Sequence, residues 1–285
     1  MKKLVLPILL VMAVFFSCDP DEEENGIQPT ADFTYLPTVQ GPVNQVHFTN
    51  KSENATSYLW QFGDEETSTE TDPSHVYGNE FPYVAKLTAY NGDFSDTKTD
   101  TIWNFTLVYK PNIYIYPEET IDLCVNLSFP KGGELVTSIP EYDSVWCVTV
   151  EPDGQINGAY DYLFYESKQP HIWQEEQGWC ISKDNLNQFF TNNMLAYGFN
   201  NNEIDDFIEY WIPLLSESEY YSIFPQQKAM INRVIEISFS KNPDNVNRLF
   251  YVIEATLQNN ELIAPEIIPF SKTGFYVNEW GVILN

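Results

Sequence analysis

Two glutamates are of the residue type that performs hydrolytic chemistry. Glu166 follows the apolar run at 162–165, and Glu279 stands beside Trp280 near the end of the chain. Two carboxylates that flank a bond can hydrolyse a glycoside, one as the protonated acid and the other as nucleophile or base. Partial burial behind an apolar run would raise the pKa of Glu166 and suit it to the acid role. The competing interpretation is that Glu166 faces water at a strand end while Trp280 fills the core.

Other chemistries have less support in the sequence. His75 and His171 have no nucleophile at a suggestive spacing, and neither Gly-x-Ser-x-Gly nor His-Glu-x-x-His occurs. The acidic residues at 64–66 offer the oxygen ligands that calcium prefers, but they lack the spaced acids and glycine of a dedicated calcium loop. We therefore expect a solvated turn there, and we predict no cofactor and no metal site.

The number of cysteines limits how many disulfides the chain can form. Besides Cys18 the chain contains Cys124, Cys147 and Cys180, which permit at most one disulfide and leave one thiol over. In the predicted strands at 121–129 and 145–150, Cys124 and Cys147 alternate with the apolar positions. A 124–147 bridge forms if these strands pair, and the sequence leaves that question open. A metal site is the weaker alternative, because no Cys-x-x-Cys spacing occurs.

The charge of the chain narrows the range of partners. It contains 41 acidic and 14 basic residues, a formal net charge of −27, so we expect no nucleic-acid partner. With 43% hydrophobic and 15% aromatic residues the chain can still build packed cores. The acidic residues therefore belong to surfaces and loops, and we expect two folded domains on one anchor.

The N-terminal residues predict the cellular location of the protein. Lys2 and Lys3 precede an uncharged run at 4–16, as in a secretory signal peptide over 1–17, and that run is shorter than the ~20 residues that span a bilayer. Ser17-Cys18 resembles the lipobox of bacterial lipoproteins. The resemblance implies that Cys18 becomes the lipidated N-terminus and that the membrane is a partner through this lipid. The alternative is an ordinary cleaved signal with a chance cysteine.

An acidic tether follows at 18–28. Five acids in six positions and no apolar residue at 19–24 predict a solvated segment. Acids just behind a lipidated cysteine also resemble the surface-export signal of lipoproteins in some Gram-negative groups. This implies an outer-membrane location facing the cell exterior, and a periplasm-facing spacer is the alternative.

Residues 29–104 predict an immunoglobulin-like β-sandwich, since short strand-like runs alternate with Asn, Gly, Ser and Asp. These runs include 43–49, 58–62 and 83–90.

Within this sandwich, the run from Trp60 to Asp64 and the later run from Pro73 to Tyr77 resemble the pattern of PKD domains, with Glu65 where a glycine is usual. Trp60 and Phe62 alternate on one face and are expected in the core, with Tyr77 packed beneath. The resemblance implies a spacer or a module that contacts proteins or carbohydrates.

Residues 108–285 predict a β-rich α+β domain with an inserted helical pair. The run at 110–117 is bounded by prolines and is predicted to be an edge strand. Further strands are expected at 121–129, 145–150, 234–239, 249–255 and 274–277. Ser182 is predicted to cap a helix that stops at Gly198. Asn201 or Asn202 opens a second predicted helix that stops at Pro213, in which Ile204, Phe207 and Trp211 form one apolar stripe and Asp206 lies off it.

The same region resembles an uncharacterised domain of bacterial surface proteins. The likeness rests on Lys-Pro-x-Ile-Tyr-x-Tyr-Pro at 110–117, Trp146, and the runs at 152–154, 162–166 and 278–281. It implies no activity. The sequence thus favours a non-enzymatic surface lipoprotein that binds a glycan or a surface protein. The alternatives are a surface glycan hydrolase that uses Glu166 and a second carboxylate, and a structural subunit of an outer-membrane complex.

Overall fold

The fold is mainly β and was obtained as a computed structural model that describes residues 27–37, 44–78 and 81–285. The predicted signal peptide, Cys18 and nearly all of the acidic tether lie outside the described residues. Within the described ranges, every helix is too short or too polar to cross a membrane.

The described residues contain seven strands that build an N-terminal sandwich of two antiparallel sheets. The strands are β1 (Phe33–Pro37), β2 (Gln45–Asn50), β3 (Ser57–Gln61), β4 (Thr67–Ser68), β5 (Ser74–Val76), β6 (Tyr83–Asn91) and β7 (Phe94–Ile102). One sheet has the order β1-β2-β5 and the other β4-β3-β6-β7. The predicted immunoglobulin-like sandwich is therefore confirmed.

Aromatic side chains fill the sandwich. Trp60 and Phe62 are buried, as their alternation predicts, and the Trp60 indole donates to the carbonyl oxygen of Glu70 at 2.9 Å. Tyr77 packs edge-on to Phe62 and donates its hydroxyl to the Phe62 carbonyl oxygen at 3.2 Å. Burying these large rings supplies most of the driving force for a domain of this size, and the two polar handles stay hydrogen-bonded.

The C-terminal region has three layers. Its strands are β8 (Phe105–Tyr116), β9 (Ile121–Ser128), β10 (Glu134–Ile139), β11 (Trp146–Val150), β12 (Leu163–Pro170), β13 (Trp179–Ser182), β14 (Tyr220–Gln227), β15 (Glu236–Phe239), β16 (Asn245–Thr256) and β17 (Tyr276–Leu284). A seven-stranded sheet in the order β10-β12-β8-β17-β16-β14-β13 packs one face on a three-stranded sheet in the order β11-β9-β15. Helices cover part of its other face. All pairings are antiparallel except β16 with β17.

The helical pair forms where the apolar spacing predicts it. A 3₁₀ turn (Lys183–Asn185) leads into α1 (Leu186–Ala196), and Gly198 follows with φ +91°, a conformation that glycine adopts without strain. Next comes α2 (Asn201–Leu214), which Asn200 and Glu203 open with a reciprocal capping box. Pro213 lies inside the last turn of α2 rather than beyond it. A single further turn, α3 (Lys228–Ile231), follows β14.

The predicted edge strand is wrong in its position, because β8 lies between β12 and β17 inside the large sheet. Pro111 has no N–H for the ladder, yet the sheet tolerates it through a β-bulge. The register of β8 shifts against both neighbours at this point, and Lys110 takes φ +50°. The proline is accommodated by the bulge and not by an edge.

A disulfide joins the two sheet-forming strands β9 and β11. Cys124 and Cys147 are direct cross-strand partners and are bonded, which answers the question that the sequence left open. Cys180 is free, donating its thiol to the carbonyl oxygen of Gln258 at 3.6 Å.

The disulfide should contribute measurably to stability. With a sequence separation of 23 between its cysteines, the disulfide restricts the unfolded chain by about 3 kcal/mol. We expect the double variant Cys124→Ala/Cys147→Ala to lose about that much free energy of unfolding in urea titrations, while Cys180→Ala changes it by less than about 0.5 kcal/mol. A double variant within about 1 kcal/mol of the parent chain would contradict this expectation.

Candidate functional site

The helices leave one side of the large sheet open. The residues buried beneath α1 and α2 come from β8, β14, β16 and β17. The helix-side surface of β12 and the edge strand β10 is not part of this cluster, and Ile139 on β10 is 53% exposed. Side chains that would otherwise be covered therefore meet solvent beside α2.

A hollow of about 260 Å³ occupies this open side. We call it the aromatic hollow, and it is lined by Lys110, Ile139, Ala159, Tyr160, Asp161, Tyr162 and Phe164. Tyr162 is anchored by an edge-on contact with the buried Tyr114 at 5.2 Å between ring centroids. Half-buried rings with one accessible face give a rigid apolar platform at low entropic cost, which is the property of many binding surfaces.

The bulge in β8 places Lys110 at the centre of this site. Its ammonium lies 4.3 Å from the ring centroid of Tyr210 on α2 and 6.0 Å from that of Phe164. Such contacts stabilise a cation by roughly 0.5–1 kcal/mol at a partly exposed site. Burial lowers the pKa of Lys110, while the charges of Asp206 and Glu166 oppose that shift. One cation thus attracts two carboxylates.

Those two carboxylates share the environment of Lys110. Burial raises the pKa of Glu166, opposed by the backbone N–H and the charge of Lys110. Burial likewise raises the pKa of Asp206, opposed by a hydrogen bond of 2.8 Å from the Tyr114 hydroxyl and by Lys110. Hydrogen-bond acceptors, a donor and aromatic faces therefore lie close together on this open side of the sheet. Glu166 lies within β12 and not at the end of a strand.

Glu279 lies in a different part of the molecule. It is fully buried, and it pairs with the guanidinium of Arg248 while the Tyr165 hydroxyl donates to it at 2.8 Å. Tyr165 belongs to the core beneath the three-stranded sheet, and successive side chains of a strand point to opposite faces. Glu166 therefore faces away from Glu279. The expected pair of Glu166 with Glu279 is wrong, because the sheet separates them and Glu279 has no access to a substrate.

The acidic turn at 64–66 contacts other residues of the sandwich. The Asp64 carboxylate lies 2.6 Å from the His75 ring, and His75 stacks on Phe62 at 4.1 Å. Glu65 adopts φ +74°, the left-handed conformation for which glycine is usual at this point of the motif. His75 thus has a structural role, as do Trp60 and Tyr77.

Three residues in or beside the hollow have no functional signal in the sequence. Lys110 belongs to the proline-bounded strand motif at 110–117, Asp206 lies off the apolar stripe of the second predicted helix, and Tyr210 stands in the same helix. The prolines around 110–117 were the available signal, since a proline in a strand marks either an edge or a bulge. Nothing local indicates that residues nearly 100 positions apart meet.

Comparison with known proteins identifies the N-terminal sandwich. The profile of the PKD domain matches residues 28–104. These residues form a PKD domain. Collagenase ColA of Bacillus cereus is 31% identical over 126 residues, which cover 37% of this chain and 13% of that protein. The chain thus matches only 13% of the length of this curated relative.

Two solved PKD domains are similar over 27% of this chain. They are the PKD1 domain of the metalloprotease PrtV from Vibrio cholerae, 34% identical over 95% of that chain, and the PKD1 domain of Epp from Vibrio anguillarum, 27% identical over 92%. Both have a TM-score of 0.24, at which neither supports an inference about the chain as a whole.

The different environments of the two glutamates lead to opposite effects on stability. Glu279→Ala leaves Arg248 buried without its partner, and we expect a loss of about 3–5 kcal/mol in the free energy of unfolding. Glu166→Gln removes a carboxylate whose ionised form is disfavoured by burial, so at pH 7 we expect no loss or a small gain. Urea titrations of both variants test this, and a Glu279→Ala protein as stable as the parent would refute the assignment.

Proposed function

We propose that the chain is a surface-anchored lipoprotein in which the PKD domain acts as a spacer and interaction module and the C-terminal domain binds a glycan. The observation that carries the proposal is the aromatic hollow. Sugar rings present C–H faces that pack on aromatic rings, and their hydroxyls accept and donate hydrogen bonds. Tyr162 and Phe164 supply the rings, while Lys110, Glu166 and Asp206 supply donors and acceptors.

The size and charge of the hollow favour a short, uncharged unit of a glycan. About 260 Å³ is slightly below the ~300–1,000 Å³ that encloses a whole small-molecule ligand. Three acids in or near the hollow, Asp161, Asp206 and Glu166, outnumber the single lysine Lys110, so an anionic ligand would meet net repulsion. A neutral sugar residue within a longer chain satisfies both constraints.

A glycan hydrolase is the second candidate, and one observation favours it. Glu166 and Asp206 both have raised pKa values and both interact with Lys110, so Asp206 replaces Glu279 as the second carboxylate. A protonated acid and an ionised partner are what glycoside hydrolysis requires. The charge attraction between Lys110 and the two carboxylates gives them a simpler role in positioning that lysine, which is why binding is the first proposal.

The hollow is tested with a panel of neutral polysaccharides, measuring retention and released reducing ends in the same wells. Tyr162→Ala and Phe164→Ala should each weaken retention by about tenfold, as expected for aromatic anchors. Tyr220→Ala is the matched control, a half-buried tyrosine of β14 toward the other end of the same sheet. Equal losses in all three variants would contradict a specific role for the hollow.

The retention and the released reducing ends, measured together, distinguish the binding function from the hydrolase function. Retention without product supports binding, and Glu166→Gln should then leave a substantial part of it. Product that disappears in Glu166→Gln and in Asp206→Asn establishes the hydrolase and refutes a purely binding role. If neither signal appears with any neutral glycan, the proposed glycan ligand is wrong.

The anchor is tested by changing the predicted lipidation site. Attached acyl chains contribute about 0.8 kcal/mol of membrane affinity for each buried CH₂. We therefore expect Cys18→Ser to move the chain from the membrane fraction to the soluble fraction, and intact cells of the parent strain to lose the C-terminal domain to added protease. A Cys18→Ser protein that stays in the membrane fraction would contradict lipid anchoring.

A further inference from the structure

A second cavity, distinct from the aromatic hollow, lies where the PKD domain meets the C-terminal region. It has a volume of about 530 Å³, within the range of ligand pockets, and such pockets often lie between domains. One wall is formed by β1 and the end of β7, including Tyr35 and Asp100. The other is formed by the turn after β9, with Phe129 and Lys131, and by Arg233. We call it the junction cleft.

The walls of the junction cleft are held by short-range contacts. Only two residues, Trp103 and Asn104, connect β7 to β8, and the backbone N–H of His171 donates to the Asn104 carbonyl oxygen at 2.6 Å. Gly132 has φ +74°, and a Cβ there would lie 2.7 Å from the Tyr35 carbonyl oxygen. The glycine turn can therefore pack directly against the PKD domain, which closes the cleft on that side.

The charge of the cleft is opposite to that of the chain. Among its described lining residues, Lys131 and Arg233 are the bases and Asp100 is the single acid, in a protein of formal net charge −27. Among the described residues, the ion pairs include neither of these two bases. Within the part of the chain that the structure describes, the Arg233 guanidinium donates only to the thioether sulfur of Met230 at 3.5 Å, a weak acceptor. Its planar guanidinium thus retains the capacity to bind a carboxylate with two parallel hydrogen bonds.

The remaining lining residues suit a sugar ring. Trp103 is half-buried in the connector and lies in the cleft with Phe129, which gives apolar surface for C–H faces. Thr34, Thr101 and Asp100 on the PKD wall can exchange hydrogen bonds with hydroxyl groups. The cleft therefore combines an anion-binding side with an aromatic and hydroxyl-binding side.

We propose that the junction cleft binds a carboxylate-bearing sugar, with the carboxylate on Arg233 and Lys131 and the ring against Trp103. This site is separate from the aromatic hollow, whose acidic surroundings favour neutral sugars. With both sites, one chain could contact a polysaccharide that contains both uronic acids and uncharged residues. The uronic acid would bind in the junction cleft and the uncharged residue in the aromatic hollow.

The test uses the purified full-length chain and uronate oligosaccharides of galacturonate, mannuronate and glucuronate type, with the methyl esters of the same oligosaccharides as neutral controls. Calorimetry should show binding of at least one uronate and at least tenfold weaker binding of its methyl ester. Arg233→Gln should weaken uronate binding by about tenfold or more and Lys131→Gln by less, because only arginine binds a carboxylate bidentately. Arg233→Lys should recover part of the loss.

Lys183→Gln, a lysine outside the cleft, is the matched control and should bind uronates as the parent does. Neutral-glycan retention should be unchanged in Arg233→Gln, so that a failure of the aromatic hollow and a failure of the cleft are told apart. The proposal is overturned if no uronate binds, if acid and ester bind equally, or if Lys183→Gln loses as much as Arg233→Gln. Preference for a glutamate-rich peptide over every uronate would also overturn it, in favour of a protein ligand.

Discussion

The missing N–H of Pro111 is the constraint on which the candidate site depends. A proline inside a seven-stranded sheet cannot complete the ladder, and the chain inserts an extra residue in β8 relative to both β12 and β17. Without this bulge, strict alternation would send Tyr109 and Lys110 to opposite faces. With it, both lie on the helix side, where Tyr109 packs against Trp211 and Lys110 lies over Tyr210. A backbone irregularity thus creates the polar centre of the aromatic hollow.

The side chains of β12 alternate between a buried face, where they stabilise the core, and an outer face, where they belong to the candidate site. Tyr165 points to the inner face and completes the buried network of Arg248 and Glu279, which holds β12, β16 and β17 together with the turn that follows α3. Glu166 points to the outer face and meets Lys110. Desolvation offsets much of the attraction within a buried ion pair, so the pair adds little net stability, whereas the loss of one partner leaves a buried charge unpaired.

Much of the fold could be predicted from local patterns. The alternation of Trp60 and Phe62 indicated the sandwich core, and the apolar spacing of Ile204, Phe207 and Trp211 indicated α2. The pairing of β9 with β11 was not predictable, so the sequence did not decide whether the disulfide forms. The observed register places Cys124 opposite Cys147. The proline at 111 favours an edge strand on propensity alone, and only the global strand order shows that a bulge accommodates it.

The hollow could not be predicted for a related reason. Lys110, Glu166 and Asp206 belong to β8, β12 and α2, and they meet only because β12 pairs with β8 and because α2 stops short of covering β12 and β10. The partial burial of Glu166 was foreseeable from the apolar run before it, whereas its partner was not. Glu279 was chosen for its proximity to Trp280, and that same proximity signals a core position.

The open side of the large sheet beside α2 is the ligand site that we propose. A crystal structure of the chain with a short neutral oligosaccharide would locate the ligand. We expect a sugar ring packed on Tyr162 and Phe164, with its hydroxyls hydrogen-bonded to the Lys110 ammonium and to the Glu166 or Asp206 carboxylate. An oligosaccharide bound elsewhere while the aromatic hollow stays empty would contradict it.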